Sequence, residues 1–130
     1  MATIQLTVYI LGITSMARYT SSFIANAPLE QVPVLLTQVL ESSDFGVVYQ
    51  TNGYLMAKEI PGKVPFSKIV SVEILIENTV AKTNEVPVTF VVKNDELPLN
   101  TDNHCQQKFQ QLQETLEQSQ EWRSTSTVLG

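Results

Sequence analysis

The sequence predicts an α+β fold: a two-layer domain in which an antiparallel sheet of four to six strands carries two helices on one face. Three observations predict it. Alternating runs recur over residues 17–25, 45–60, 67–78 and 85–94, with the period of two that a half-buried strand requires. A hairpin signal joins two of these segments, which argues for antiparallel pairing. Two further stretches, from about residue 28 and from about residue 102, carry a single apolar stripe at helical spacing. The element order reads β-β-α-β-β-β-β-α.

The chain begins MATIQLTVYILGITS, where Ile4, Leu6, Val8 and Ile10 alternate as in a strand. This segment lacks a basic start, and its apolar run is too short to span a bilayer. An extra strand, a weak leader and an extension upstream of Met16 are the three readings of residues 1–15. Residues 16–122 read as one α+β domain, and residues 123–130 as a flexible, small and polar tail.

Within the domain, Tyr19, Ser21, Phe23 and Ala25 share one face of the first strand. Ala27-Pro28 then opens a helix, where the missing N–H of proline has no helical partner to lose. Glu30 suits the positive end of the helix dipole. Leu29, Val32, Leu36, Val39 and Leu40 form the core-facing stripe. Pro33 conflicts with a helix already under way, at a cost of about 3 kcal/mol. The helix is therefore expected to kink, or to start late near Val32-Pro33.

Asn52-Gly53 predicts a type I′ hairpin turn, with Tyr49 and Tyr54 as a cross-strand aromatic pair. In the next strand Val70, Val72, Ile74 and Ile76 share a face, opposite Ser71, Glu73 and Glu77. Val86, Val88, Phe90 and Val92 do the same in the strand after it. Pro87 lacks a ladder donor, so that strand lies at an edge or begins near Pro87. The last helix is expected to start at Thr101 or Asp102, either of which can cap it. It buries Cys105, Phe109, Leu112 and Leu116, while Trp122 either closes the core or marks a partner surface.

Composition narrows the function. Of 130 residues, 43% are hydrophobic and 16% charged, enough apolar content for one core and too much for a disordered chain. The net charge is −5. The eight basic residues are scattered along the sequence, so nucleic acid and anionic membranes are poor partners. Cys105 is the single cysteine, which rules out an internal disulfide and suits a reducing, cytoplasmic setting.

Catalytic signals are sparse. No glycine-rich phosphate loop is present. His104 and Cys105 are adjacent, and side chains about 100° apart on a helix converge neither on a metal nor as a dyad. Glu73 and Glu77 stand about 13 Å apart on one strand face, loose for paired acid–base work. An enzyme using Glu73, Tyr49 or His104 thus has little support, and no cofactor or metal is expected.

The stretch SSFIANAPLEQVPVLLTQVLESSDFG, through Phe23, Ile24, Ala27, Pro28, Glu30, Val32, Leu35 and Leu36, resembles the opening of the START/SRPBCC helix-grip superfamily. The resemblance covers about 26 residues. It implies a concave sheet gripping a long final helix around an apolar cavity for a lipid-like or aromatic ligand. Two departures stand against it. Pro33 replaces a large side chain, and the sheet is short. The block YLMAKEIPGKVPFSKIVSVEILIEN also looks like that of small cyanobacterial proteins.

The expected role is a non-catalytic domain that binds a protein partner or itself; the alternative is a helix-grip carrier. Tyr49, Tyr54, Phe90 and Phe109 are the candidate ligand contacts.

Overall fold

The computed structural model of the protein describes residues 17–62, 64–96 and 103–129. The strand read at residues 4–10 and the caps read at Thr101 and Asp102 lie outside them. The fold is α+β. Among the described residues six strands form one open antiparallel sheet: β1 (Ala17–Ala25), β2 (Phe45–Gln50), β3 (Tyr54–Glu59), β4 (Ser71–Ile76), β5 (Val86–Asn94) and β6 (Trp122–Leu129). Their spatial order is β2-β3-β4-β5-β1-β6. Helix α1 (Val32–Ser42) follows β1, and helix α2 (His104–Gln118) follows β5.

The alternation fixes which sheet face is buried. Tyr19, Phe23, Leu55, Ala57, Val72, Ile74, Ile76, Val88, Phe90 and Val92 are buried with the apolar stripes of both helices. Phe90, on central β5, packs edge-on against Phe23 at 5.9 Å and Trp122 at 6.0 Å. Tyr19 stacks on Phe109 at 5.3 Å. Trp122 thus closes the core.

Pro33 acts as its chemistry requires. A single 3-10 turn (Leu29–Gln31) comes first, and α1 then starts at Val32 with proline in its first turn. This delay turns Leu29 outward, 38% exposed, so it is not part of the core stripe that Val32, Leu35, Leu36, Val39 and Leu40 form.

Several local expectations are corrected. Neither Asn52 nor Gly53 adopts left-handed φ, so the β2–β3 turn is not type I′. Tertiary contacts hold it instead: the Gly53 carbonyl accepts from Ile76 N at 2.9 Å, and Asn78 donates to the Asn52 carbonyl at 3.5 Å. Of the two readings of Pro87, the edge position is not found, since β5 is central, but the strand does begin next to it, at Val86, with Pro87 as its second residue paired with Ile24. Helix α2 starts at His104, where the Asn103 side chain accepts from Gln106 N at 3.1 Å. Strand β4 ends at Ile76, one residue before Glu77, whose N–H still donates to the Pro87 carbonyl at 2.9 Å.

The tail read at residues 123–130 is the largest departure. Residues 122–129 pair with β1 across a register shift between Ser22 and Phe23. Trp122 anchors this strand, Asn26 N donates to the Glu121 carbonyl at 2.7 Å, and Thr125 Oγ1 donates to the Ser22 carbonyl at 3.0 Å.

Candidate functional site

Both helices cover one sheet face, and among the described residues no element packs on the other, here called the open face. Register places four residues in a single row across that open face: Gly46 pairs with Lys58, Lys58 with Ser71, and Ser71 with Lys93. Arg18 on β1 continues the row beside Lys93. Three cations therefore line up in a protein of net charge −5. The positions are distant in sequence, so scattered basic residues become a stripe only through strand pairing.

Gly46, Lys58, Ser71 and Lys93 of this row floor a cleft of about 530 Å³, and Arg18 lies beyond its lining. The walls come from the β2 bulge and the 60–70 connection: Val47, Val48, Ile60, Phe66 and Ile69. A register shift between Val47 and Tyr49 pushes Val48 outward to 56% exposure. Phe66 starts a short 3-10 turn and is 88% exposed, an unusual position for a ring unless something covers it. The same face carries Met56, Leu75 and the Tyr49–Tyr54 pair, whose ring centroids are 6.0 Å apart.

Charges on the face are unevenly matched. Lys93 Nζ lies 3.3 Å from Glu73, and the Tyr54 hydroxyl donates to the same carboxylate at 3.1 Å. Burial and then that hydrogen bond raise the Tyr54 pKa. Among the described residues, no carboxylate lies within ion-pair distance of Lys58.

Behind the cleft, a buried polar network pins the start of α2 to the sheet. Glu59 follows Leu55 and Ala57 on the helix-facing side of β3, and is 4% exposed. Its two oxygens lie 2.8 and 2.9 Å from His104 Nε2, and one also accepts from Val70 N at 3.2 Å. Glu96 accepts from Asn94 Nδ2 at 2.6 Å, Cys105 N at 2.9 Å and His104 N at 3.1 Å. Two of those donors are free N–H groups of a helix start, where a carboxylate is favoured. Burial pushes the Glu96 carboxyl up, but these bonds and Lys68 outweigh it and leave the pKa lowered.

Cys105 and His104 do not converge. The His104 ring turns to Glu59, while the buried Cys105 thiol lies 4.0 Å from the Ala17 carbonyl. Burial first, then the Glu96 and Glu59 charges, push the thiol up to about 12. A protonated thiol is a poor nucleophile. The native protein is expected to react with a disulfide reagent at least about a hundredfold more slowly than the urea-unfolded chain, because only the unfolded thiol titrates near 8.5. Equal rates would contradict this burial. Among the described residues, no group of three or more His, Cys, Asp or Glu is placed to hold a metal.

The four candidate ligand contacts are divided between the two faces. Tyr49 and Tyr54 lie on the open face, whereas Phe90 and Phe109 are 1% and 5% exposed in the core beneath α2. The sheet separates the pairs, so they do not make one site. Lys58, Ser71, Lys93 and Phe66 were missed as candidates. Alternation alone puts the first three on the polar face, but only register makes them neighbours. Glu59 was legible, since Leu55, Ala57 and Glu59 share one period-two face.

A second cleft of about 450 Å³ lies between the late helix start and the hairpin, lined by Leu29, Pro33, Asn52 and Asn78 among others. Among the described residues, no helix is long and apolar enough to cross a membrane. In comparisons with family models, curated proteins and solved structures, the chain matches none.

Proposed function

We propose that the protein is a non-catalytic binding domain that takes a protein partner on the open face of its sheet. The observation that carries this reading is the asymmetry of the sheet. One face is closed by two helices, while the other keeps Tyr49, Val48, Ile60, Phe66 and Leu75 between 48% and 88% exposed at its surface and rim. Aromatic, Met and aliphatic residues within a polar surround are the usual composition of an interface centre. Strand β2, an edge strand among the described residues, borders the same patch and offers backbone groups for pairing.

Native mass spectrometry of the tagged chain isolated from its own host tests this. The wild-type chain is expected to carry a protein partner in fixed stoichiometry. Tyr49→Ser with Phe66→Ser is expected to lose it, because truncating central aromatic contacts costs about 2 kcal/mol or more each. A partner retained by the folded double variant would place binding elsewhere.

A small-ligand carrier is the second reading, favoured by the volume of the 530 Å³ cleft, which falls in the range of small-molecule sites. That cleft lies opposite the final helix. A bound small molecule in the mass spectrum, with no protein, would favour this reading.

A further inference from the structure

We propose that the open-face cleft, together with the cation row that runs out of it to Arg18, recognises an acidic, apolar segment of a partner polypeptide, with carboxylates on Lys58, Lys93 and Arg18 and an apolar side chain against Phe66, Ile60 and Ile69. This rests on the partner-binding reading above. Charge complementarity selects the ligand. The row holds three cations and no carboxylate; of the acids nearby, Glu59 is engaged by His104, Glu73 pairs with Lys93, and Asp95 lines the cleft, while among the described residues Lys58 has no ion pair. Lys58 lines the cleft together with Val48, Ile60 and Phe66, and a charge-assisted contact gains strength as water leaves such a site.

Spacing favours a polypeptide over a small acid. With strands about 4.8 Å apart, a chain crossing them meets Lys58 on β3, Lys93 about 10 Å on, and Arg18 about 14 Å on. An extended segment advances about 3.3 Å per residue, so carboxylates three or four residues apart match that reach. Residues 1–16 contain no Asp or Glu, so the protein's own N-terminal segment does not complement the row. A nucleic acid strand needs several phosphates neutralised in succession, whereas Lys93 is already paired with Glu73 and, among the described residues, only Lys58 and Arg18 of the row have no ion pair.

Gly46 supplies the room. Its φ is not left-handed, and a Cβ there would meet nothing within 4 Å. Its side-chain direction is that of Lys58, towards the cleft. Gly46→Leu therefore fills the floor at little cost to the fold, and Lys58→Met removes charge while keeping length.

The test is selection of random displayed peptides on the full-length chain, followed by titration of the enriched peptides, benzoate and oligothymidylate against wild type, Lys58→Met, Gly46→Leu and Phe66→Ser. Enriched peptides are expected to pair Asp or Glu with an aromatic or aliphatic residue. Lys58→Met and Gly46→Leu should each weaken them at least about tenfold, the scale of one charge-assisted hydrogen bond. Thermal melting of each variant separates lost binding from lost folding. Peptides without acids that still depend on Phe66 would overturn the acidic preference and leave the partner-binding face standing. Peptides indifferent to all three variants, or no enrichment, would overturn both. Benzoate or oligothymidylate binding more tightly than any peptide, with the same dependence on Lys58, would assign the cleft to a small acid or to nucleic acid instead.

Discussion

Phe90→Ala is expected to destabilise the protein by about 3–5 kcal/mol, the usual cost of emptying a large aromatic site in a packed core. Phe90 is 1% exposed on a central strand, between Ser21 of β1 and Ile74 of β4 in register. Its ring meets Phe23 and Trp122 edge-on. Truncation removes both contacts at once and loosens the anchor of β6. Small domains have about 5–15 kcal/mol in total, so much of the folding free energy depends on this one ring. Urea denaturation followed by circular dichroism gives the value. Tyr49→Ala is the control. That ring is 56% exposed on the open face and should change stability far less. Equal losses for the two would mean that the buried and open faces have been exchanged.

Glu96→Ala is expected to cost about 3 kcal/mol at neutral pH, since it leaves donors at a buried helix start without their acceptor. Asn94 retains a bond to the Lys68 carbonyl at 3.1 Å, so the cost falls mainly on His104 N and Cys105 N. The effect depends on pH. The folded pKa of Glu96 is lowered from 4.5, so the unfolded chain binds the proton more readily. The contribution is fully present above the unfolded value of 4.5. It disappears as pH falls through the lower folded value. Urea midpoints of wild type and Glu96→Gln should differ most near pH 7 and converge as pH falls below 4.5 and through the lowered folded value. A gap that stays constant with pH would mean that Glu96 is not a charged cap.

Much of the fold was legible because burial writes a period into the chain. Strands β4 and β5 bury one face each, and their alternation shows it. Pro33 placed the start of α1 correctly, because its missing N–H admits few positions. Strand β6 left no such trace. Residues 123–127 read Arg-Ser-Thr-Ser-Thr, and this segment is a strand through its pairing with β1, not through an apolar face of its own. The turn at Asn52-Gly53 was misread for a related reason: backbone and side-chain bonds from Ile76 and Asn78 override the local preference.

The site was less legible than the fold. Lys58, Lys93 and Arg18 are isolated charges in sequence and become a row only once β3, β4, β5 and β1 are in register. Aromatic type alone could not separate Tyr49 and Tyr54 from Phe90 and Phe109. The first pair belongs to the open face and the second to the core. Glu59 and Glu96 show the converse. Each has the composition of a surface charge, and each is buried because a helix start needs an acceptor or a His104 ring needs a partner.

Amide chemical shifts of the ¹⁵N-labelled chain, titrated with an acidic, apolar peptide selected against it, test most directly whether the open sheet face is the binding surface. Shifts should concentrate at Gly46–Val48, Lys58–Pro61, Phe66–Ser71 and Lys93–Asp95, and should shrink in Lys58→Met. Shifts centred on α1 and α2, with the β2–β5 face unmoved, would contradict it.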